Sequence, residues 1–316
     1  MNILANDGLS NAGIKELKKS GFNIMTTNVS QEHLIDFINK NSIDALLVRS
    51  ATNVRKDLID SCPKLKLIGR GGVGMDNIDV KYAKSKKIHV INTPNASSIS
   101  VAELVFAHLY GGVRFLYDSN RNMPLEGEIN FKALKKNYSK GIELRGKTLG
   151  IIGLGRIGKE VCKIALGIGM EVIACDNFQD KALIEIDFFN GKSTSFEIRT
   201  ISKEEVLKKA DFVSLHVPAQ KKYVIDKDDM KLMKNGSVLI NASRGGVINE
   251  KALLNFLDSG KFNFAALDTF ENEPKPEIKL LMHPKVSLSP HIGAATIQAQ
   301  ERIGLELASQ INKLLK

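Results

Sequence analysis

Short apolar runs alternate with helix-like patterns along almost the whole sequence. Residues 3–5, 24–25, 45–48, 67–69 and 88–91 predict five buried strands, and residues 148–152, 171–175, 212–215, 237–240, 264–267 and 286–288 predict six more. Strands that alternate with helices form a parallel sheet covered by helices on both faces. The 316 residues are therefore predicted to fold as two doubly wound α/β units.

The composition is that of a folded globular chain, with 43% hydrophobic and 25% charged residues. No apolar run reaches the roughly 18 residues of a membrane span, and no basic segment followed by an apolar stretch opens the chain, so neither a membrane partner nor a signal peptide is expected. Three cysteines, Cys62, Cys162 and Cys175, without CxxC spacing predict a reduced, cytoplasmic protein with no metal site.

The net charge of +10 suits either nucleic-acid binding or the capture of anionic small molecules. No aromatic-rich basic motif, zinc pattern or helix-turn-helix signal accompanies this charge. We therefore expect no nucleic-acid partner, and interpret the charge as suited to an anionic cofactor and substrate.

Three segments depart from the strand–helix alternation. After a helix predicted at about 97–117, residues 118–146 are polar and basic, and they predict a long loop with a functional or interface role. Period-two alternation over 184–200 around Asn190-Gly191 predicts an inserted β-hairpin. The segment 297–315 predicts a helix that needs a partner, with a stripe made of Ile303, Leu307, Ile311 and Leu314.

A GxGxxG motif spans residues 153–158, after a predicted strand and before a predicted helix. Gly153 allows a tight turn, Gly155 lets a pyrophosphate approach the backbone, and Gly158 allows close helix packing. Asp176 ends the next strand, where its carboxylate can bond a ribose 2′-hydroxyl and repel a 2′-phosphate. The motif predicts NAD binding, with NAD favoured over NADP.

Three late segments carry residues suited to chemistry. Arg244 follows a predicted strand, where it either binds an anionic ligand or forms a surface salt bridge. Carboxylates cluster at 268–273, and His291 follows a proline. A carboxylate bonded to one ring nitrogen of a histidine fixes its tautomer and leaves the other nitrogen to exchange a proton. A structural role is expected for the remaining histidines, although His216 could also border the cofactor: His33, His89, His108, His216 and His283.

Taken together, these motifs resemble the D-2-hydroxyacid dehydrogenase family over essentially the whole chain. The resemblance rests on residues 48–52, 69–77, 92–95 and 145–158 and on the three late segments. It is strongest to members that oxidise a phosphorylated 2-hydroxy acid and lack a regulatory domain. Reductases of small 2-oxo acids on the same scaffold remain an alternative, as does a corepressor-like protein that senses NAD without catalysis.

The resemblance implies a Rossmann NAD-binding domain, residues 97–289, inserted into a flavodoxin-like substrate domain, residues 1–96 and 290–316. It also implies a homodimer formed through the NAD-binding domain. His291 would be the general acid/base, Glu273 its carboxylate partner, and Arg244 the ligand of the substrate's carboxylate and carbonyl oxygen. The implied cofactor contacts are Val73, Gly153, Gly155, Arg156, Ile157, Gly158, Asp176, Val217, Ala242, Ser243, Asp268, Gly293 and Ala294. The implied substrate contacts are Arg49, Ser50, Arg70, Gly72, Val73, Gly74 and Lys136.

Overall fold

The computed structural model describes residues 1–315, which divide into two compact units. The first unit comprises Met1–Ser100 together with the described chain from Ala294 onward, and the second comprises Val101–Gly293. The two boundaries lie four residues beyond the ends predicted at 96 and 289. The first unit is thus built from two separate stretches of sequence.

The first unit contains a five-stranded parallel sheet in the order β2-β1-β3-β4-β5. Its strands are β1 (Asn2–Ala5), β2 (Asn23–Met25), β3 (Ile43–Val48), β4 (Leu67–Arg70) and β5 (His89–Asn92). Four helices connect them: α1 (Asn11–Lys19), α2 (Leu34–Lys40), α3 (Lys56–Ser61) and α4 (Val80–Ser85). Alternate residues of β3 and β4 enter two separate apolar cores, one on each face of the sheet. This strand order is the flavodoxin-like one.

The carboxy-terminal helix, Ile297–Leu315, packs in the first unit against α1. The two helices approach closely at Gly13 and Gly304, where a Cβ on Gly13 would lie 2.8 Å from the Gly304 Cα. Ile303, Leu307 and Ile311 are buried as predicted, but Leu314 is 40% exposed. A spacing of four residues continues the buried stripe to Leu315 instead, which packs on the same core.

The second unit contains a six-stranded parallel sheet in the order β13-β12-β11-β10-β6-β7. Its sheet strands are β6 (Thr148–Ile152), β7 (Glu171–Cys175), β10 (Phe212–Leu215), β11 (Ser237–Asn241), β12 (Phe262–Leu267) and β13 (Val286–Leu288). Its helices are α5 (Ser98–Val113), α6 (Leu116–Asn137), α7 (Arg156–Gly167), α8 (Lys203–Lys209), α9 (Lys227–Leu232), α10 (Glu250–Asp258) and α11 (Ile278–Leu281). A separate hairpin consists of β8 (Lys181–Asp187) and β9 (Ser193–Arg199). The predicted α/β class with two doubly wound parallel sheets is confirmed.

The order in which strands are added to the second sheet changes sides at β6, while all the strands stay parallel. The strand β7, next in sequence, pairs with one edge of β6, and β10 pairs with the other. Two loops therefore diverge at the carboxyl ends of β6 and β10. Doubly wound sheets bind ligands in the crevice at this kind of switch point.

The hairpin predicted around Asn190-Gly191 is confirmed. Its antiparallel register pairs Lys181 with Arg199 and Asp187 with Ser193. Gly191 has a φ of 78°, the left-handed conformation that glycine adopts without steric cost. Ala182, Ile184 and Ile198 are buried in the core of the second unit, so the hairpin extends that core beyond the edge strand β7.

The loop predicted at 118–146 is wrong, because most of this segment is the helix α6 followed by a short 3₁₀ turn, Tyr138–Lys140. The helix buries Leu134 alone, so it lacks the apolar stripe by which a packed helix is identified. Pro124 and Gly127 lie inside it and are more typical of loops. The preceding helix α5 also ends earlier than predicted, at Val113, and Phe115 then takes a left-handed conformation with a φ of 56°.

Within the described chain, no single helix is both long and apolar enough to cross a bilayer. Ser98–Val113 and Leu116–Lys140 meet that measure only as a pair bent by 54°. Val105 and Leu109 of the first member are buried in the core of the second unit. The apolar character of α5 therefore matches that of a core helix.

Candidate active site

The glycine loop joins β6 to the N-terminus of α7. Gly153 has a φ of 94°, and a Cβ there would lie 2.5 Å from the carbonyl oxygen of His216. A Cβ on Gly158 would overlap the Gly153 carbonyl, whereas a Cβ on Gly155 would meet no atom within 4 Å. Gly155 is also the N-cap of α7 and caps it with no side chain. The loop therefore leaves open space beside unpaired helix N–H groups, the geometry that receives a phosphate.

Asp176 lies next to this loop, at the end of β7. Its carboxylate accepts hydrogen bonds from the Leu154 N–H at 2.7 Å and the Phe178 N–H at 2.8 Å. These bonds hold the carboxylate beside a cleft of about 770 Å³ that Gly153, Gly155 and Val217 also line. A cleft of this size lies within the range of small-molecule sites.

His216 follows β10 and lines the same cleft. Its Nε2 lies 3.0 Å from the Ser214 hydroxyl, while its buried Nδ1 has no hydrogen-bond partner among the described residues. Burial lowers the pKa of His216 to about 3, so the ring is neutral. An unpartnered buried nitrogen is costly unless a ligand supplies the missing bond. Together with the open glycine loop and Asp176, it fits the bound dinucleotide that the sequence predicts.

His291 and Glu273 form the predicted acid/base pair geometry, with 2.8 Å between Nδ1 and Oε2. The other carboxylate oxygen of Glu273 accepts the Phe270 N–H at 2.9 Å. The two side chains are 41% and 36% exposed, so a substrate can reach them. Because Glu273 engages Nδ1, the ring presents Nε2 for proton exchange.

Arg244 lies in the loop after β11, and Asn241 shapes that loop. The Asn241 amide donates to the Arg244 carbonyl at 2.8 Å, and its oxygen accepts the Ser243 N–H at 3.0 Å. The next residue, Gly245, packs so closely on Phe270 that a Cβ would overlap the Phe270 carbonyl. The segments that carry Arg244 and Glu273 are therefore in direct backbone contact. Sequence reasoning missed Gly245, although its place beside Arg244 at a strand end was a usable signal.

Asp268, at the end of β12, is almost fully buried. Its carboxylate accepts the Ser289 hydroxyl at 2.6 Å and the N–H groups of Ile292 and Gly293 at 2.8 and 2.9 Å. It thus anchors the residues that follow His291, which has a left-handed φ of 54°. The structure places this predicted cofactor contact inside the protein's own hydrogen-bond network.

A further carboxylate pair, which sequence reasoning did not single out, lies next to the Glu273 segment. The Glu250 N–H donates to Glu271 at 2.9 Å, and the Glu271 N–H donates to Glu250 at 2.8 Å. Burial, chiefly, and the charges of Glu271, Glu273 and Glu277 raise the pKa of Glu250 to about 7, against the lowering effect of the hydrogen bond from the Glu271 N–H. This reciprocal contact ties the start of α10 to the Glu273 segment.

The predicted substrate contacts of the first unit lie at the carboxyl ends of the neighbouring strands β3 and β4. The Arg49 N–H donates to Asp7 at 2.6 Å, and the Asn77 amide donates to the Arg49 carbonyl at 2.8 Å. The guanidinium of Arg70 packs against Gly72. Residues from the two strand ends therefore form one group at a single edge of the sheet, comprising Arg49, Ser50, Arg70, Gly72, Val73 and Gly74.

The other predicted contacts fall on several elements. Arg156 and Ile157 begin α7, and Ala242 and Ser243 follow β11. Ala294 and Val73 belong to the first unit, and Gly293 is the last residue of the second. Lys136 is exposed near the end of α6. Among residues 1–315 no group of three or more His, Cys, Asp or Glu side chains has the geometry to hold a metal ion.

Comparison with known proteins assigns this geometry to a family. Residues 106–293 match the family described as "D-isomer specific 2-hydroxyacid dehydrogenase, NAD binding domain". The chain is 41% identical over 319 aligned residues to D-3-phosphoglycerate dehydrogenase of Methanocaldococcus jannaschii, covering 100% of this chain and 58% of that protein. It is 39% identical over 304 residues to hydroxypyruvate reductase of Thermotoga maritima, covering 95% and 93% of the two chains.

A solved structure shares the fold. The NAD⁺-bound 3-phosphoglycerate dehydrogenase of Entamoeba histolytica superposes with a TM-score of 0.77 at 26% identity, covering 100% of this chain and 95% of that one. The chain spans less than two thirds of the length of the M. jannaschii enzyme. On the family match and on relatives aligned over the whole chain, this protein belongs to the D-isomer specific 2-hydroxyacid dehydrogenases, and its second unit is their NAD-binding domain.

Proposed function

We propose that this protein oxidises D-3-phosphoglycerate to 3-phosphohydroxypyruvate with NAD, the reaction that opens serine biosynthesis. One observation carries the assignment to 2-hydroxy acid oxidation. His291 bonds Glu273, and the segment that holds Glu273 is in backbone contact with the loop that holds Arg244. The phosphorylated substrate is supported by the 41% identity to a D-3-phosphoglycerate dehydrogenase along the full chain.

The described residues supply the acid/base and electrostatic parts of this reaction. Bound NAD provides the hydride acceptor. His291 takes the proton of the C2 hydroxyl on Nε2, and Glu273 stabilises the resulting imidazolium through Nδ1. Arg244 binds the substrate's carboxylate and stabilises negative charge on the C2 oxygen. In the reverse direction the protonated His291 returns its proton to that oxygen.

A phosphorylated acid needs cationic partners in addition to Arg244. Arg49 and Arg70 of the first unit and Lys136 on α6 are proposed for this role. The backbone N–H groups of residues 72–74 are proposed as donors to the substrate's carboxylate. Lys132 lies four residues before Lys136 on the same exposed helix, so it offers a matched control.

Hydroxypyruvate reduction is a second candidate, and one observation favours it. The chain is 39% identical to the T. maritima hydroxypyruvate reductase over 95% of its own length, close to its 41% identity to the M. jannaschii phosphoglycerate dehydrogenase. The catalytic pair and Arg244 would serve both reactions without change. The two functions differ only in whether cations receive a phosphate.

We also propose a homodimer formed through the second unit. The helix α6 buries only Leu134, and it exposes 78% of Leu125 and 85% of Ile129. Apolar side chains exposed to this extent are typical of a subunit interface. A cytoplasmic location completes the proposal, supported by the three cysteines, which form no disulfide.

A substrate panel tests these assignments. Turnover is measured with 3-phosphohydroxypyruvate, hydroxypyruvate and glyoxylate, each with NADH and NADPH. We expect kcat/KM to be at least about tenfold higher for the phosphorylated acid with NADH. Lys136→Ala should raise KM for that acid alone, and Lys132→Ala should leave it unchanged.

Three outcomes would overturn the proposal. Equal or higher kcat/KM for hydroxypyruvate or glyoxylate would assign the protein to the reductases. Salt-dependent DNA binding without oxidation of NADH on any of the three acids would support the corepressor-like alternative instead. An NADPH preference would refute the cofactor assignment based on Asp176.

A further inference from the structure

We infer that His108, Ser289 and Asp268 form a positioning chain that holds His291 in its reactive orientation. The inference rests on the proposed function, because it assigns the catalytic proton transfer to His291. His108 lies on α5, 181 positions before Ser289, and plays no direct part in the proposed reaction. His108 contacts two serines, Ser287 and Ser289. All three side chains are buried, as is that of Asp268.

The hydrogen bonds of this chain can run in only one direction. The Ser289 hydroxyl donates its single proton to the Asp268 carboxylate at 2.6 Å, since a carboxylate only accepts. Ser289 must then accept the bond from His108, whose Nε2 lies 2.9 Å away. His108 therefore carries its proton on Nε2, and its Nδ1 accepts the Ser287 hydroxyl at 2.8 Å.

Burial keeps the ring in this neutral form. The pKa of His108 is lowered chiefly by desolvation, against a smaller opposing effect of the Asp268 charge. A neutral ring has one donor and one acceptor nitrogen, and the two serines satisfy both. Both ring nitrogens of His108 thus have a partner, and the bond to Ser289, which itself bonds Asp268, fixes the position of the Asp268 carboxylate.

The positioning chain of His108, Ser289 and Asp268 acts on His291 through the backbone that follows it. Asp268 accepts the N–H groups of Ile292 and Gly293, the two residues that follow His291. A residue other than glycine at a φ of 54° is strained and persists only when its surroundings hold it. The bonds to Asp268 supply that restraint, and a Cβ at Gly293 would crowd the same carboxylate at 3.1 Å. Loosening Asp268 should let the His291 segment relax and turn the ring away from Glu273.

The two serines provide a matched test. Both are buried and both bond His108, but only Ser289 reaches Asp268. We expect Ser289→Ala to lower kcat about tenfold or more, with KM for the 2-oxo acid within about threefold. Ser287→Ala should keep both constants within about threefold of wild type. Ser289→Thr restores the hydroxyl and should recover most of kcat.

Hydrogen exchange provides a readout that does not need activity. The amides of Ile292 and Gly293 should exchange faster in Ser289→Ala than in Ser287→Ala at matched thermal stability. Equal exchange and equal kcat in the two alanine variants would overturn the positioning chain. An inactive wild type with faster exchange in Ser289→Ala alone would support the chain and refute the proposed function.

Discussion

Replacing Glu273 by Gln should damage catalysis more than deleting its side chain. In the structure Oε1 of Glu273 accepts the Phe270 N–H at 2.9 Å, and Oε2 faces His291 Nδ1 at 2.8 Å. A glutamine would keep its oxygen on the Phe270 N–H, so its NH₂ group would face Nδ1. His291 would then hold its proton on Nε2 and could not accept one from the substrate. In the reverse direction, donation from Nε2 would leave the ring with its proton on Nδ1, facing the NH₂ group, so reduction of a 2-oxo acid would be impaired by the same contact.

The magnitude follows from two contributions. If the amide of the Glu273→Gln variant flipped to present its oxygen to His291, its NH₂ group would face the Phe270 N–H, and two donors without an acceptor cost about 1–3 kcal/mol. Losing the negative charge removes about 1 kcal/mol of imidazolium stabilisation, a modest value because both side chains are over a third exposed. Together these contributions are about 2–4 kcal/mol, which corresponds to a roughly 30- to 10³-fold fall in kcat. The equivalent exchange in a serine protease triad costs about 10⁴-fold.

The assay is steady-state oxidation of NADH with the best 2-oxo acid of the panel. Glu273→Ala should lose about tenfold less than Glu273→Gln, because water can accept the Nδ1 proton in the vacated space. Glu271→Gln is the matched control and should stay within about threefold of wild type, since Glu271 does not contact His291. A Glu273→Gln variant within tenfold of wild type, or more active than Glu273→Ala, would refute the tautomer argument.

Four further predictions address the rest of the site. Arg244→Ala should lower kcat/KM at least about a hundredfold, and near-normal turnover would refute its role as the charge-stabilising donor. Asp176→Asn can keep only one of its two backbone bonds, since its NH₂ group cannot accept, and it should lower the NADH over NADPH preference about tenfold, measured as a ratio of kcat/KM. The pKa of Glu250 is raised from 4.5 in the unfolded chain to about 7 in the folded protein, so its ionisation lowers the free energy of unfolding as pH rises between these two values. Glu250→Gln should therefore raise Tm at about pH 8 and leave it unchanged at about pH 4. Leu125→Glu combined with Ile129→Glu should convert a dimer to a folded monomer in sedimentation velocity, and an unchanged sedimentation coefficient would exclude this face as the interface.

Local patterns explain why much of the fold could be predicted. A buried parallel strand needs a short apolar run, and the eleven predicted sheet strands all occur within one or two residues of their expected positions. The Asn-Gly hairpin was predictable for the same reason, since a tight turn needs a residue that tolerates a positive φ. The helix α6 could not be predicted from the sequence, because a helix that buries a single side chain has no periodic apolar stripe.

The candidate site divides in a similar way. The motifs of the sequence predicted the glycine loop, Asp176 and Arg244 as ligand-binding residues, and the family resemblance added the predicted pairing of Glu273 with His291. The sequence assigned His108 only a general structural role and gave no sign of its bond to Ser289 or of the Glu250–Glu271 contact.

Sequence therefore determined the elements, their order and the chemical groups of this protein, since each depends on neighbours along the chain. Tertiary structure decided the partners: which carboxylate oxygen meets His291, how Gly245 meets Phe270, and how Asp268 is held. Those contacts join residues 18 to 25 positions apart, and the bond from His108 to Ser289 joins residues 181 apart, so they exist only once the sheet has brought strand ends together. Elements and chemical groups depend on residues that are neighbours in sequence, whereas these contacts depend on residues that only folding brings together. This difference in sequence separation is why the sequence determined the former and the tertiary structure the latter.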